Sequence, residues 1–159
     1  MENNDILLDK IKSKIILLIG DETFDADDGS GGNAPDIYKW SVPPKRDNTS
    51  PNAFGDFPQI LLRPKSGGAV GIIGTTEVII RGGVWSPGDY QDGAAEVDRL
   101  LALLAPLQQP ADYSPWVQDD AFGLKWQIGD EEEASNPHPY HYLFLKIRFQ
   151  FDTEYNNYY

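Results

Sequence analysis

The stretch of the chain best suited to metal or catalytic chemistry reads EEEASNPHPYHY. His138 and His141, the chain's two histidines, are three residues apart, a spacing that zinc sites use on a helix. Pro137 and Pro139 exclude a regular helix here, so a third ligand would have to reach across a proline-rich turn from residues 131–133. We therefore interpret the stretch as a rigid, extended lead into a strand.

A second candidate is the acidic stretch DETFDADDGSGG, which begins at Asp21. A calcium loop of the EF-hand type needs glycine at position 6 and glutamate at position 12. Counting from Asp21 puts Ala26 at position 6, and counting from Asp25 puts Ser30 there, so neither register fits. We interpret the stretch as a solvated acidic loop. The alternative that stays open is a divalent-metal-binding module formed by Asp21, Asp25, Asp27, Glu131, Glu132, Glu133, His138 and His141.

Other catalytic patterns are missing from the sequence. The chain has no cysteine, which excludes disulfides, thiolate nucleophiles and cysteine zinc sites. It has no Gly-x-Ser-x-Gly elbow, and the string GGAVGIIG lacks the Lys-Ser/Thr of a phosphate-binding loop. We predict that the protein is not an enzyme, with no catalytic residue, no metal ligand and no cofactor.

The composition favours one acidic domain. The chain has 159 residues, and its 13 basic and 25 acidic residues give a formal charge of −12. Tight binding to phosphate backbones needs lysine and arginine clusters, whereas an acidic surface tolerates DNA that passes without binding. The longest apolar run, residues 15–19, is far shorter than the roughly 20 residues that span a bilayer, so we expect no membrane partner.

Apolar spacing predicts two helices. The first ends at Gly20, and the second begins at a cap formed by Ser86 or Gly88 and ends at Pro106. The predicted buried residues of the first are Leu7, Leu8, Ile11, Ile15 and Leu18. The predicted buried residues of the second are Ala94, Val97, Leu101 and Leu104. We also expect Trp40 and Trp126 to fill the core.

Alternating segments predict the strands DIYKWSVP, FPQILLRP, TTEVIIRGGVWS, FGLKWQIG and YHYLFLKIRFQF. We expect KSGGAVGIIG to be a flexible connection and Gly82-Gly83 to form a bulge. This order predicts a single α+β domain with a mostly antiparallel β-sheet and two helices packed on one face. Flexible acidic loops at residues 21–35 and 43–56 and a frayed tail at residues 152–159 complete the prediction.

Several segments, in order, resemble the tail-terminator (tail-completion, or neck) proteins of long-tailed bacteriophages. They are FPQILLRPKSGG, VIIRGGVWSPGDYQDGAAEVDRLLALL and GLKWQIGDEEEASNPHPYHYLFLKIRFQF, and together they cover residues 57–151 with gaps. The loops at residues 21–35 and 43–56 are longer and more acidic than the family pattern, and HPYHY replaces its aromatic pair. No single motif carries the resemblance; the order and spacing of the segments do.

The resemblance implies a structural protein of the virion neck, assembled in the host cytoplasm. Such a protein forms a ring, usually a hexamer, that caps the tail tube, ends its polymerisation and meets the head-completion (stopper) protein, while DNA passes through the lumen. The alternative within the same setting is a head-side stopper or adaptor. If the chain forms such a ring, the expected interface residues are Arg63, Lys65, Arg81, Trp85, Asp130, Glu131, Glu132 and Glu133.

Overall fold

A computed structural model describes residues 2–43, 56–109, 111–129 and 139–153 of the chain. The helices are α1 (Glu2–Ile19) and α2 (Tyr90–Leu104), and a 3-10 helix (Ala105–Gln108) follows α2. The strands are β1 (Phe24–Asp25), β2 (Gly32–Asn33), β3 (Asp36–Lys39), β4 (Gln59–Val70), β5 (Ile73–Trp85), β6 (Val117–Gln118), β7 (Leu124–Ile128) and β8 (Tyr140–Asp152).

Six of these strands form one sheet in the order β3-β4-β5-β8, with β6 and β7 both paired to the far side of β8. All its pairs are antiparallel except β3 with β4, which is parallel. Both helices pack on the same side of this sheet, and their buried residues join those of the strands in one core. The predicted α+β fold, mostly antiparallel with two helices on one face, is therefore confirmed.

Helix α1 buries the apolar stripe that its sequence spacing predicts. Leu7, Leu8, Ile11 and Ile15 are fully buried. The stripe ends in Ile19, which is buried, beside the partly buried Leu18. Gly20 has a φ of 57° and its N–H bonds to the carbonyl of Ile16, so a left-handed glycine ends the helix as expected.

The N-cap of helix α2 lies one residue after Gly88, the later of the two predicted caps. Asp89 is the N-cap, and its carboxylate accepts a hydrogen bond of 2.9 Å from the N–H of Asp92. The buried residues are Gly93, Val97, Leu100 and Leu104. Val97 and Leu104 are therefore confirmed as buried, whereas Ala94 is exposed and Leu101 only partly buried, so two of the four predicted positions were wrong by one residue. The cause is Gly93, because a Cβ there would overlap the ring of His141.

The segment predicted as a flexible connection instead forms the outer halves of β4 and β5. These strands continue to a two-residue turn at Gly71 and Ile72, and Gly71, with a φ of 62°, supplies the left-handed position that such turns require. The predicted bulge at Gly82-Gly83 is also wrong, because both pairings of β5 run through it without a shift. The register shift lies between Pro64 and Ser66, where proline cannot donate to the ladder.

The two central glycines of β5 give room for side chains on both faces of the sheet. A Cβ on Gly82 would lie 2.5 Å from Cδ2 of Leu100, a residue of α2. A Cβ on Gly83 would lie 2.6 Å from Cε1 of Phe57 on the opposite face. These glycines therefore allow the helix to approach one side of the sheet and an aromatic ring to approach the other.

Strand β8 shows the alternation that its sequence predicts. Leu143, Leu145, Ile147 and Phe149 are buried in the core beneath the helices, and Phe151 packs against it. Of the two tryptophans predicted to fill the core, Trp40 packs against it and donates a hydrogen bond of 2.9 Å to Asp5. The prediction for Trp126 is wrong, because its side chain is 56% exposed. Trp126 belongs to β7, which pairs only with β8 among the described strands.

Replacing Gly82 by alanine should destabilise the protein by about 1–3 kcal/mol, because the new Cβ would overlap Cδ2 of the buried Leu100. The matched control is Gly68→Ala in the exposed half of β4, where a Cβ meets nothing within 4 Å. Urea unfolding followed by circular dichroism measures both. Equal midpoints for the two variants would show that α2 can shift away from the sheet without cost.

Candidate interaction surface

The candidate surface is the side of the sheet that faces away from α1 and α2, here called the outer face. Register assigns its residues, since side chains alternate along each strand and opposite partners share a face. Outer-face residues include Arg63 of β4, Glu77, Ile79, Arg81 and Trp85 of β5, Lys125 of β7, and Tyr140, Tyr142, Phe144, Lys146 and Arg148 of β8.

A second, smaller apolar cluster lies at one end of the outer face. Phe57, Ile79, Tyr142 and Phe144 are its buried members, and neither helix contributes a residue to it. The ring centroid of Phe57 lies 4.8 Å from that of Tyr140 and 6.0 Å from that of Tyr142. The aromatic rings thus form a buried apolar layer beneath the charged groups at this end of the sheet.

Three of the residues predicted for an interface share this face. Arg63, Arg81 and Trp85 are outer-face residues by register, and Lys65, at the shift in β4, lines the same side beside Ile79. Four of the residues predicted for an interface therefore lie on one surface, which the pairing of β4 with β5 creates. The predicted acidic partners Asp130, Glu131, Glu132 and Glu133 lie outside the described residues.

Arg81 sits at the centre of the face and is held by its neighbours. Its guanidinium donates a hydrogen bond of 3.3 Å to Gln59 Oε1 and lies 5.5 Å from the centroid of the Tyr142 ring. These contacts hold the side chain over the aromatic cluster. An arginine on an aromatic base is the type of residue that contributes most at protein interfaces.

Arg148 and Glu77 form an ion pair on the outer face. The guanidinium nitrogen lies 2.6 Å from Glu77 Oε1, and Ser66 donates a further hydrogen bond to the same carboxylate. Hydrogen bonding from Arg148, which outweighs desolvation, lowers the pKa of Glu77, and the charge of Lys146 lowers it further. The guanidinium also lies 4.1 Å from the centroid of the Phe122 ring.

Sequence reasoning missed the lysines at the β7 side of the face. Lys125 and Lys146 are direct cross-strand partners, and with Lys65 they line a shallow depression of about 230 Å³ over Ile79 and Phe144. Lys125 also lies 4.3 Å from the centroid of the Phe122 ring. The sequence signal for these lysines is the alternation of the last strand, in which the polar residues Lys146 and Arg148 alternate with core residues.

The outer face is basic although the protein is acidic. Its strands carry Arg63, Lys65, Arg81, Lys125, Lys146 and Arg148, which are six of the 13 basic residues of the chain. The acidic residues on the same strands and face are Asp36, Glu77 and Asp152. The remaining seven basic residues thus stand against 22 acidic ones, so the charges of the two signs are segregated on the molecule.

The residues of the metal-binding alternative do not form a described cluster. His141 is 1% exposed and packs beneath α2 against Gly93 and the ring of Tyr90. Asp21 and Asp25 are exposed, while Asp27 accepts a hydrogen bond from the N–H of Phe57. Glu131, Glu132, Glu133 and His138 lie outside the described residues. Within the described part of the chain, no three acidic or histidine side chains are grouped so that they could hold a metal ion.

The fold and this surface define an α+β protein whose distinctive feature is a basic, aromatic-based sheet face. No known family model matches the chain, and no curated protein sequence matches it significantly. Neither helix in the described ranges is long and apolar enough to cross a membrane. The geometry of the outer face is therefore the main guide to function.

Replacing Glu77 by glutamine should lower the free energy of unfolding at pH 7 by about 1 kcal/mol, because Arg148 loses a charged acceptor. Because the pKa of Glu77 is lower in the folded protein, its ionised carboxylate stabilises the fold at pH values above the ordinary pKa of 4.5. This contribution is lost as the pH falls through the lowered pKa. The difference between the variant and the parent should therefore shrink in acid.

The measurement is urea unfolding at several pH values between 7 and about 3. Asp98→Asn, which removes an exposed carboxylate from α2, is the matched control and should change little at any pH. A Glu77→Gln penalty that stays constant across the series would show that the charge of Glu77 contributes nothing.

Proposed function

We propose that this protein is a structural component of the bacteriophage virion: a tail terminator that forms a ring, caps the tail tube and joins the tail to the head connector. The resemblance of residues 57–151 suggests the family. The observation that carries the proposal is that Arg63, Lys65, Arg81 and Trp85, chosen as interface residues from the sequence, lie on one face of the sheet.

The character of that face fits protein contact better than catalysis. Arg81 and Trp85 adjoin a buried aromatic cluster, and arginine and tryptophan are the residues on which interface affinity most often depends. Its charged groups are spread over several strands and do not converge on an enclosed cavity. Such a surface suits a broad, complementary contact with another protein.

The proposed partners are copies of the same chain, in a ring that is a hexamer, together with the tail-tube protein on one side and the head-completion or stopper protein on the other. The acidic remainder of the surface suits a lumen through which DNA passes, because like charges repel the duplex and prevent it from binding. The location of the protein in this proposal is the tail or neck of the virion.

Reversing the charge of the outer face should weaken ring assembly and tail-tube binding. In the Arg63→Glu and Arg81→Glu variants we expect the mass in solution to fall from that of a ring towards that of the 17.8 kDa monomer at equal concentration. Light scattering behind a sizing column measures the mass, and co-sedimentation with purified tail tubes measures binding. Arg63 is exposed, so its variant tests the surface with little risk to the fold.

The control is Lys14→Glu on α1, which makes the same charge change on the helix side of the sheet. It should leave both mass and tail-tube binding unchanged. Wild-type protein that binds isolated head connectors but not tail tubes would support the head-side stopper alternative. Wild-type protein that binds neither would contradict a neck function.

A further inference from the structure

We propose that copies of this chain associate head to tail, with the basic outer face of one copy against an acidic depression at the β3 edge of the next. This inference rests on the proposed function and specifies the contact from which the ring is formed. It names a second copy of the chain as the occupant of the outer face. Position and charge define the two surfaces, whatever contacts each side chain makes within its own copy.

The acidic depression has a volume of about 540 Å³. Four aspartates line it: Asp27, Asp28, Asp36 and Asp56. Phe57 and Pro58 form an apolar part of its wall. Asp36 opens β3, so the depression lies at one lateral edge of the sheet.

The basic counterpart is centred near the other lateral edge. Lys125 and Lys146 lie directly opposite each other on β7 and β8. Lys65 of β4 lines the same depression. Like charges directly opposite on a sheet destabilise an isolated strand pair. An acidic neighbour removes that repulsion, so the lysine pair favours contact with a negatively charged surface.

The two depressions cannot contact each other within one copy. Three strand spacings separate β3 from β8, which is about 14 Å, and β7 lies one spacing further. Complementary surfaces at different places on the same chain produce head-to-tail contacts, and such contacts form closed rings when the rotation between copies permits. The charge segregation of the chain therefore supplies both halves of a head-to-tail contact.

Apolar side chains lie beneath the charged groups on both sides. Ile79 and Phe144 line the basic depression, and Phe57 and Pro58 line the acidic one. The charges set the register of the contact.

A charge-swap experiment tests this contact. The first variant is Lys125→Glu with Lys146→Glu, and the second is Asp28→Lys with Asp36→Lys. Each alone should raise the concentration needed for half-assembly at least about tenfold, because each places like charges at the contact. A 1:1 mixture of the two should restore assembly, because every contact in an alternating ring is then either native or fully swapped.

Lys12→Glu with Lys14→Glu on α1 is the matched control and should assemble as the wild type does. Mass from light scattering over a concentration series is the readout, and circular dichroism confirms that every variant is folded. Wild-type assembly should also weaken as salt is raised.

The outcomes separate the inference from the proposed function. If the wild type forms rings and neither charge variant impairs them, or if the mixture fails to restore assembly, the head-to-tail contact is wrong and the terminator function stands. If the wild type stays monomeric throughout the series, the inference is overturned, and binding to tail tubes decides the proposed function separately.

Discussion

The close approach of α2 to the central strands is the constraint on which the rest of the structure depends. Gly93 brings the helix against His141, and Gly82 makes room for Leu100. Both contacts place α2 on one side of β5 and β8, and α1 packs on the same side over a shared core. The opposite side is then left to side chains of the strands themselves.

This one-sided packing explains the second aromatic cluster. A sheet face without a helix over it cannot bury large side chains in a helix–sheet core, yet Tyr142 and Phe144 are less than 10% exposed. Because Gly83 has no side chain, the ring of Phe57 can lie close to β5. There Phe57 packs against Tyr140 and Tyr142. The adjacent glycines of β5 therefore serve opposite faces of the same sheet.

Much of the fold follows from the sequence because its strongest patterns are local. The stripe of α1 and the alternation of β8 predict their buried faces almost residue by residue. The errors arise where a distant partner decides the outcome. The buried face of α2 depends on His141, some 50 residues away, and the extent of β4 and β5 depends on pairing with each other. The lysine pair of the surface was missed for the same reason, since only strand register makes Lys125 and Lys146 neighbours.

Charge segregation links the fold to the proposed assembly. A chain with net charge −12 disperses its copies by repulsion unless its basic residues are concentrated where copies meet. The antiparallel pairing of β5, β7 and β8 concentrates them, because residues far apart in sequence become neighbours on the outer face. With acidic groups gathered around Asp36 at the opposite edge, a single chain carries both halves of a complementary contact. In the proposed ring, repulsion between copies would act everywhere except at that contact, so the acidic composition that keeps the copies apart would also select the orientation in which they join.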